Sequence, residues 1–255
     1  MKKLLISLCL IFAFNMANSQ VLISLLLGDK LNSDKLEFGL EGGLNWSKTY
    51  GFESGKYHGD WFLGFYFDFK TSDRWHLITG VHVKSRLGLN KLSDNDIFKL
   101  DGKIYNNDNG ERIDGKYSLQ MNYFMVPVLA RYSFKNNIYF EIGPGFGLNY
   151  KSFVQFESDV DGTDIFIREY NTELMNRIDA GINFGAGYRL FKGTGWTIGA
   201  KYYYGFVNTL KGVSGTNNSS FFVKLNIPIG AGEGAKQKQA KKAAKKAERK
   251  AAKAP

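Results

Sequence analysis

Apolar and polar side chains alternate with a period of two through eight segments between Lys35 and Gly230, and this leaves the chain few ways to fold. The pattern is clearest from Ile138 to Tyr150. There Ile138, Phe140, Ile142, Phe146, Leu148 and Tyr150 share one face, while Tyr139, Glu141, Gly143, Gly145, Gly147 and Asn149 share the other. A period of two marks an extended strand with unlike surroundings on its two sides. The apolar face is large and aromatic, whereas the opposite face is glycine and charge, too small and polar for a water-soluble core. The apolar face is therefore expected to meet lipid and the polar face to line a closed barrel.

Strands are predicted at 35–47, 58–70, 74–90, 119–134, 137–150, 176–191, 195–207 and 218–229. Each is long enough to cross a bilayer, for which a tilted strand needs about 9 to 11 residues. The connections at Thr71-Ser72-Asp73, Lys135-Asn136 and Lys192-Gly193-Thr194 are short, and those around 48–57, 91–118, 151–175 and 208–217 are long. Short turns face the periplasm and long loops the exterior in bacterial barrels of even strand number. Strict alternation of the two predicts an all-β, eight-stranded, antiparallel up-and-down transmembrane barrel with both mature termini periplasmic. Trp46, Trp61, Trp75 and Trp196 fall near strand ends, the height at which indole rings settle among headgroups.

The flanks of the barrel fit an exported protein. Lys2 and Lys3 precede an apolar run from Leu4 to Phe14, and Ala17-Asn18-Ser19 supplies small residues for cleavage, so residues 1–19 read as a signal peptide. Neither this run nor Val21–Leu27 reaches the roughly 20 apolar residues of a spanning helix. Cys9, the single cysteine, lies inside the apolar run, so no disulfide, thiol chemistry or lipid anchor is expected in the mature chain. Residues 20–34 form an amphipathic leader, with Leu22, Leu25, Leu26 and Leu31 at helical spacing suited to an interfacial position. The barrel occupies 35–230, and a Lys/Ala-rich periplasmic tail occupies 231–255.

The net charge of +10 is concentrated in that tail, which holds nine Lys or Arg against Glu233 and Glu248. Lys2 and Lys3 carry two more charges, leaving the barrel near neutrality. A basic arm on an exported chain implies an anionic periplasmic partner and no nucleic acid. Its candidate anion-binding residues are Lys241, Lys242, Lys245, Lys246, Arg249 and Lys250, arranged around a narrow alanine stripe; a solvated extension without a dedicated partner is the plainer reading.

The inward phase collects Glu37, Glu41, Asp60, Asp68, Glu141 and Asp179 against Arg74, Lys84, Arg86, Arg131, Arg177, Arg189, Lys201 and Lys224. Eight strands enclose room for side chains or one small ligand. Unpaired ions there would cost several kcal/mol each, so a charge network filling a polar interior is expected. His76 and His82 are assigned to this network and not to catalysis. On the third strand Leu87 and Leu89 are placed toward lipid.

The segment from Tyr123 through Pro127 and Arg131, followed by Tyr139, Glu141, Gly143 and Pro144, resembles the PorT-like outer-membrane β-barrel family of Bacteroidetes. Met125 stands where that family usually has a polar residue. The resemblance covers the barrel and implies its architecture and an outer-membrane address; through the member that names the family, it also implies a type IX secretion or envelope-assembly complex as an alternative role. The principal expectation is a non-enzymatic barrel, contacting outer-membrane lipid, with a structural or binding role and no cofactor. A lipid-acting envelope enzyme is the second alternative, for which His58 and Asp60 are the only candidate pair. Acid and amide side chains in 94–109 and 157–164 lack the spacing of a calcium loop, and no metal site is assigned.

Overall fold

The computed structural model describes residues 33, 35–53, 55–160, 163–193 and 195–229. The expected signal peptide, all of the leader but Ser33, and the tail with its six candidate basic residues lie outside these. The described strands are β1 (Leu36–Thr49), β2 (Lys56–Lys70), β3 (Trp75–Asn90), β4 (Lys116–Ser133), β5 (Ile138–Val160), β6 (Thr163–Tyr170), β7 (Ile178–Arg189), β8 (Thr197–Asn208) and β9 (Asn217–Pro228). All neighbours are antiparallel. β1 pairs with both β2 and β9, and β5 pairs with both β4 and β7, so eight strands close into a ring. Among the described residues no helix is long and apolar enough to span a membrane; the crossing elements are strands.

The outward face is the apolar one. Phe140, Ile142, Phe146 and Leu148 are exposed on β5, while Tyr139, Glu141, Gly145, Gly147 and Asn149 between them are buried. Glycines on the inner face make room for large side chains crossing the lumen: a Cβ on Gly187 or Gly199 would collide with the Tyr139 hydroxyl. The short turns carry their own chemistry. Thr71 Oγ1 donates to the Trp75 carbonyl (2.8 Å), and Asn137 takes the left-handed conformation (φ 66°) that asparagine tolerates, letting Phe134 N–H donate to Ile138 O (2.8 Å).

Two features depart from the sequence reading. The 151–175 stretch, expected as loop, continues β5 to Val160 and returns as β6, a hairpin pairing Phe153 with Tyr170 through Val160 with Thr163. Its alternation is weak because it lies beyond the ring, without a lipid face to set the phase. The second departure is a change of register in β3, between His82 and Ser85 against β4. A bulge adds a residue and reverses the side-chain phase beyond it. Ser85, Leu87 and Leu89 consequently turn inward and are fully buried, correcting the lipid-facing placement of both leucines.

Leu87 and Leu89 join a second core at the long-loop end with Phe62, Tyr117, Leu119, Met121, Tyr123, Val154 and Phe156, covered by Leu92, Ile97 and Leu100 of the long connection after β3. That connection is ordered around α1 (Asp94–Lys99), capped by Ser93 Oγ on Asp96 N–H and by Asp96 Oδ2 on Ser93 N–H. Asp94 pairs with Arg112 Nη1 (2.7 Å). Tyr105 O–H donates to Glu169 Oε1 on β6 (2.8 Å); burial, and then that carboxylate, push the phenol above the usual tyrosine range.

The bulge separates two kinds of leucine experimentally. Leu87→Ala leaves a cavity in a closed core and is expected to cost about 2–5 kcal/mol, whereas Ile142→Arg on the opposite face is expected to cost up to about 2–4 kcal/mol, depending on its depth in the bilayer. Urea unfolding in lipid vesicles measures both, and a cysteine at 87 should resist a lipid-soluble thiol reagent that labels one at 142.

Candidate functional site: the charged barrel interior

The inner face toward the short-turn end is a single ionic assembly. Arg131 on β4 stands in register with Glu141 on β5 and donates to its Oε2 through Nη2 (2.8 Å) and Nε (3.1 Å). Lys224 on β9 donates to Glu141 Oε1 at 2.5 Å and lies 3.8 Å from Glu41 on β1. Glu41 also meets Lys201 of β8 at 3.3 Å, His82 of β3 at 3.0 Å and the Asn226 amide at 2.8 Å. Asp68 of β2 bonds His76 at 2.6 Å and lies 3.5 Å from Arg131. Arg189 of β7 pairs with Glu37, which also accepts from the Tyr66 hydroxyl (2.9 Å). All eight strands of the ring contribute.

Four carboxylates, Glu37, Glu41, Asp68 and Glu141, face four permanent cations, Arg131, Arg189, Lys201 and Lys224. This balance lets a low-dielectric lumen hold ions: each charge finds its counter-ion in place of the water it has lost. Tyr139 completes the packing, its ring centroid 4.2 Å from the Arg131 guanidinium. Tyr66, Tyr139 and Asn226 have no place in the sequence-derived set; inward phase is their available signal, and a neutral side chain carries no charge to mark it as a member of the assembly.

The other six charged residues assigned to the network lie apart from it. Beyond the β3 bulge, Lys84 and Arg86 turn to the face opposite Leu87 and pair with Asp60 at 3.2 and 3.3 Å, Lys84 also capping the exposed Trp61 ring at 3.4 Å. Arg74 sits in the turn before β3 and donates to the Tyr132 hydroxyl (2.9 Å). Arg177 precedes β7 and is exposed, with its carbonyl taken by Asn149 N–H. Asp179 is buried, but higher in the lumen. There it accepts from Asn218 Nδ2 (3.0 Å), which also reaches the Tyr123 hydroxyl (3.1 Å), with no cation within ion-pair distance among the described residues. Strand parity alone could not anticipate a bulge or the height of a residue in the lumen.

Chemically the interior offers fixed, mutually neutralised charge. His58 Nδ1 contacts Asn90 Oδ1 (3.0 Å), while Asp60 faces Lys84 and Arg86, so the suggested base and orienting carboxylate do not meet. Among the described residues no three His, Cys, Asp or Glu converge as a metal site. Above the ions lies the apolar cluster around Phe62, Leu87, Met121 and Tyr123, interspersed with buried Asn149, Asp179 and Asn218, in place of the wholly polar filling expected.

A closed antiparallel ring with a lipid-facing apolar belt and an ion-filled lumen agrees with the family model that matches residues 19–211, described as an outer membrane protein beta-barrel domain. The chain belongs to this family. Its location is therefore the outer membrane. No curated protein matches the chain significantly. Solved structures similar to it include Neisserial surface protein A, at 11% identity over 74% of this chain and 96% of that one, TM-score 0.38. Ail, the attachment invasion locus protein of Yersinia pestis, shares 14% identity over 76% and 99%, TM-score 0.35. OprG from Pseudomonas aeruginosa shares 12% over 76% and 93%, TM-score 0.29.

The ionic assembly predicts a specific asymmetry among charge deletions. Glu141→Ala leaves buried Arg131 and Lys224 with only the more distant Asp68 and Glu41 and is expected to cost about 3–5 kcal/mol, while Arg74→Ala at the exposed turn should stay within about 0.5 kcal/mol. Paired urea titrations of the two variants in vesicles provide the check.

Proposed function

We propose that this family member is a sealed, non-enzymatic barrel of the PorT-like type, with a structural or binding role in the envelope. The observation that carries this reading is the neutral assembly of four acids and four bases which, with His76 and His82 of β3, joins all eight strands beneath an apolar core. Transport would require water and solute to displace both layers. Catalysis would require a reactive group, and the candidate His58 is turned to Asn90. The PorT-like assignment is supported by Tyr123, Pro127, Arg131, Tyr139 and Glu141, with Arg131 and Glu141 forming the buried pair between adjacent strands.

In this reading the short turns and both mature termini face the periplasm. β9 ends at Pro228, paired with Gly39 near the start of β1, on the short-turn side, where this reading puts the basic sequence that follows. There it meets anionic lipid headgroups, acidic wall material or an acidic envelope protein. Each lysine near an anionic surface contributes about 1 kcal/mol.

Two measurements test the proposal. Purified protein in planar bilayers is expected to show no steady large conductance, and a reproducible open pore would refute the sealed barrel. Purification from native outer membranes in mild detergent, with and without residues 231–255, should yield folded barrel from both. A stoichiometric protein lost with the tail would identify a secretion or assembly component in place of an independent barrel.

A further inference from the structure

The short-turn mouth contains a cleft of about 590 Å³ that the sealed-barrel reading does not use. It lies between the β2–β3 and β4–β5 turns and reaches Arg189 at the end of β7. Its wall carries Lys70, Arg74, Lys135 and Arg189, with His76 at its base; Asp73 is the one carboxylate among its lining residues. That acid is engaged by Lys70 at 3.2 Å, leaving an excess of cations around an open space. Arg189 is already balanced by Glu37 in the assembly just below, so the excess rests on Arg74 and Lys135.

Arg74 and Arg189 are fixed by partners within the chain, while Lys135 is exposed and makes no ion pair among the described residues. Arg74 is anchored through Nη1 to the Tyr132 hydroxyl (2.9 Å). Tyr132 in turn packs against Trp75 and Phe134, with centroids 5.0 Å away in each case. Trp75 and Phe134 are exposed on the outer wall, at the height where aromatic rings mark the headgroup region. Arg189 spends its terminal nitrogens on Glu37 and, more distantly, Asp68 at 3.9 Å. Its Nε is buried without a hydrogen-bond acceptor among the described residues.

We infer that this cleft is a receptor for a phosphate-bearing anion at the short-turn mouth of the barrel. A tetrahedral oxyanion accepts several charge-assisted hydrogen bonds at once, and guanidinium groups suit that geometry. The aromatic rim brings phospholipid headgroups to this level, while the opening also admits a soluble phosphate. The inference extends the binding role proposed above and stands apart from the conductance test, because an open lumen would leave the cleft's lining in place.

The test uses the full-length protein in maltoside micelles, which contain no phosphate. Inorganic phosphate is titrated calorimetrically in one arm; in the other, retention of short-chain phosphatidylglycerol is read by native mass spectrometry. The exposed positions Arg74→Ala and Lys135→Ala are combined in one variant, with Arg74→Lys/Lys135→Arg as a charge-preserving control and heat-dependent gel mobility to verify folding. Affinity for at least one probe should fall about tenfold in the alanine variant and recover in the control. A response to phosphate alone assigns a soluble ligand, and retention of the lipid assigns a headgroup. Equal behaviour of wild-type and folded alanine variant toward both probes would overturn the proposal.

Discussion

Within hydrocarbon no water can take over an unpaired peptide group, so every backbone donor and acceptor at that depth must find a partner in the chain. This constraint closes the sheet. β1 accepts β9 along one side and β2 along the other, and the ring leaves no edge within the membrane. Closure then creates an interior with an inner face that must be filled, and an outer face that must be apolar. The alternation along β5, the aromatic rims and the glycines that admit Tyr139 all follow from it.

Filling the interior imposes a second demand, met differently at the two ends. Toward the short turns the lumen holds ions, tolerated because Arg131, Glu141, Lys224 and Glu41 form a continuous chain of opposite charges with His82, Lys201 and Asn226 completing its hydrogen bonds. Such an assembly contributes less to net stability than an equal volume of packed hydrocarbon would, but removing any one member leaves its partner stranded. It favours one register of the ring, since a slip of one residue would carry the charges to the lipid side. Toward the long loops the same space is filled with leucine, methionine and aromatic side chains roofed by α1, as in a water-soluble domain.

The bulge in β3 is the junction between these regimes. By reversing the phase after His82 it turns Leu87 and Leu89 into the upper core and removes Lys84 and Arg86 from the lumen, where Asp60 receives them. Polar contacts secure this irregular stretch: Ser47 Oγ accepts from Gly88 N–H (2.8 Å) and Asn45 Nδ2 donates to the Arg86 carbonyl (2.8 Å), both from β1 across the gap in β2–β3 pairing. The long-loop half is thus a small soluble-type core grafted on a membrane ring. The cationic cleft marks the opposite end, where the chain meets solvent without such a roof.

Local alternation is enough to read the barrel, its eight spanning strands, the lipid-facing side of nearly all of them and the eight charges of the ionic assembly, though not the displacement of Asp60, Arg74, Lys84, Arg86 and Arg177 from it, because a period of two across a boundary between oil and polar interior is written locally in each strand. It also marked Arg131 and Glu141 as inward residues of adjacent strands. Tertiary structure alone decided which charges share a height in the lumen, that Asp179 sits above the ions among Asn218 and Tyr123, and that one bulge reverses half of β3. Register, stagger and bulges are relations between strands, and no single strand encodes the level at which its neighbours pass.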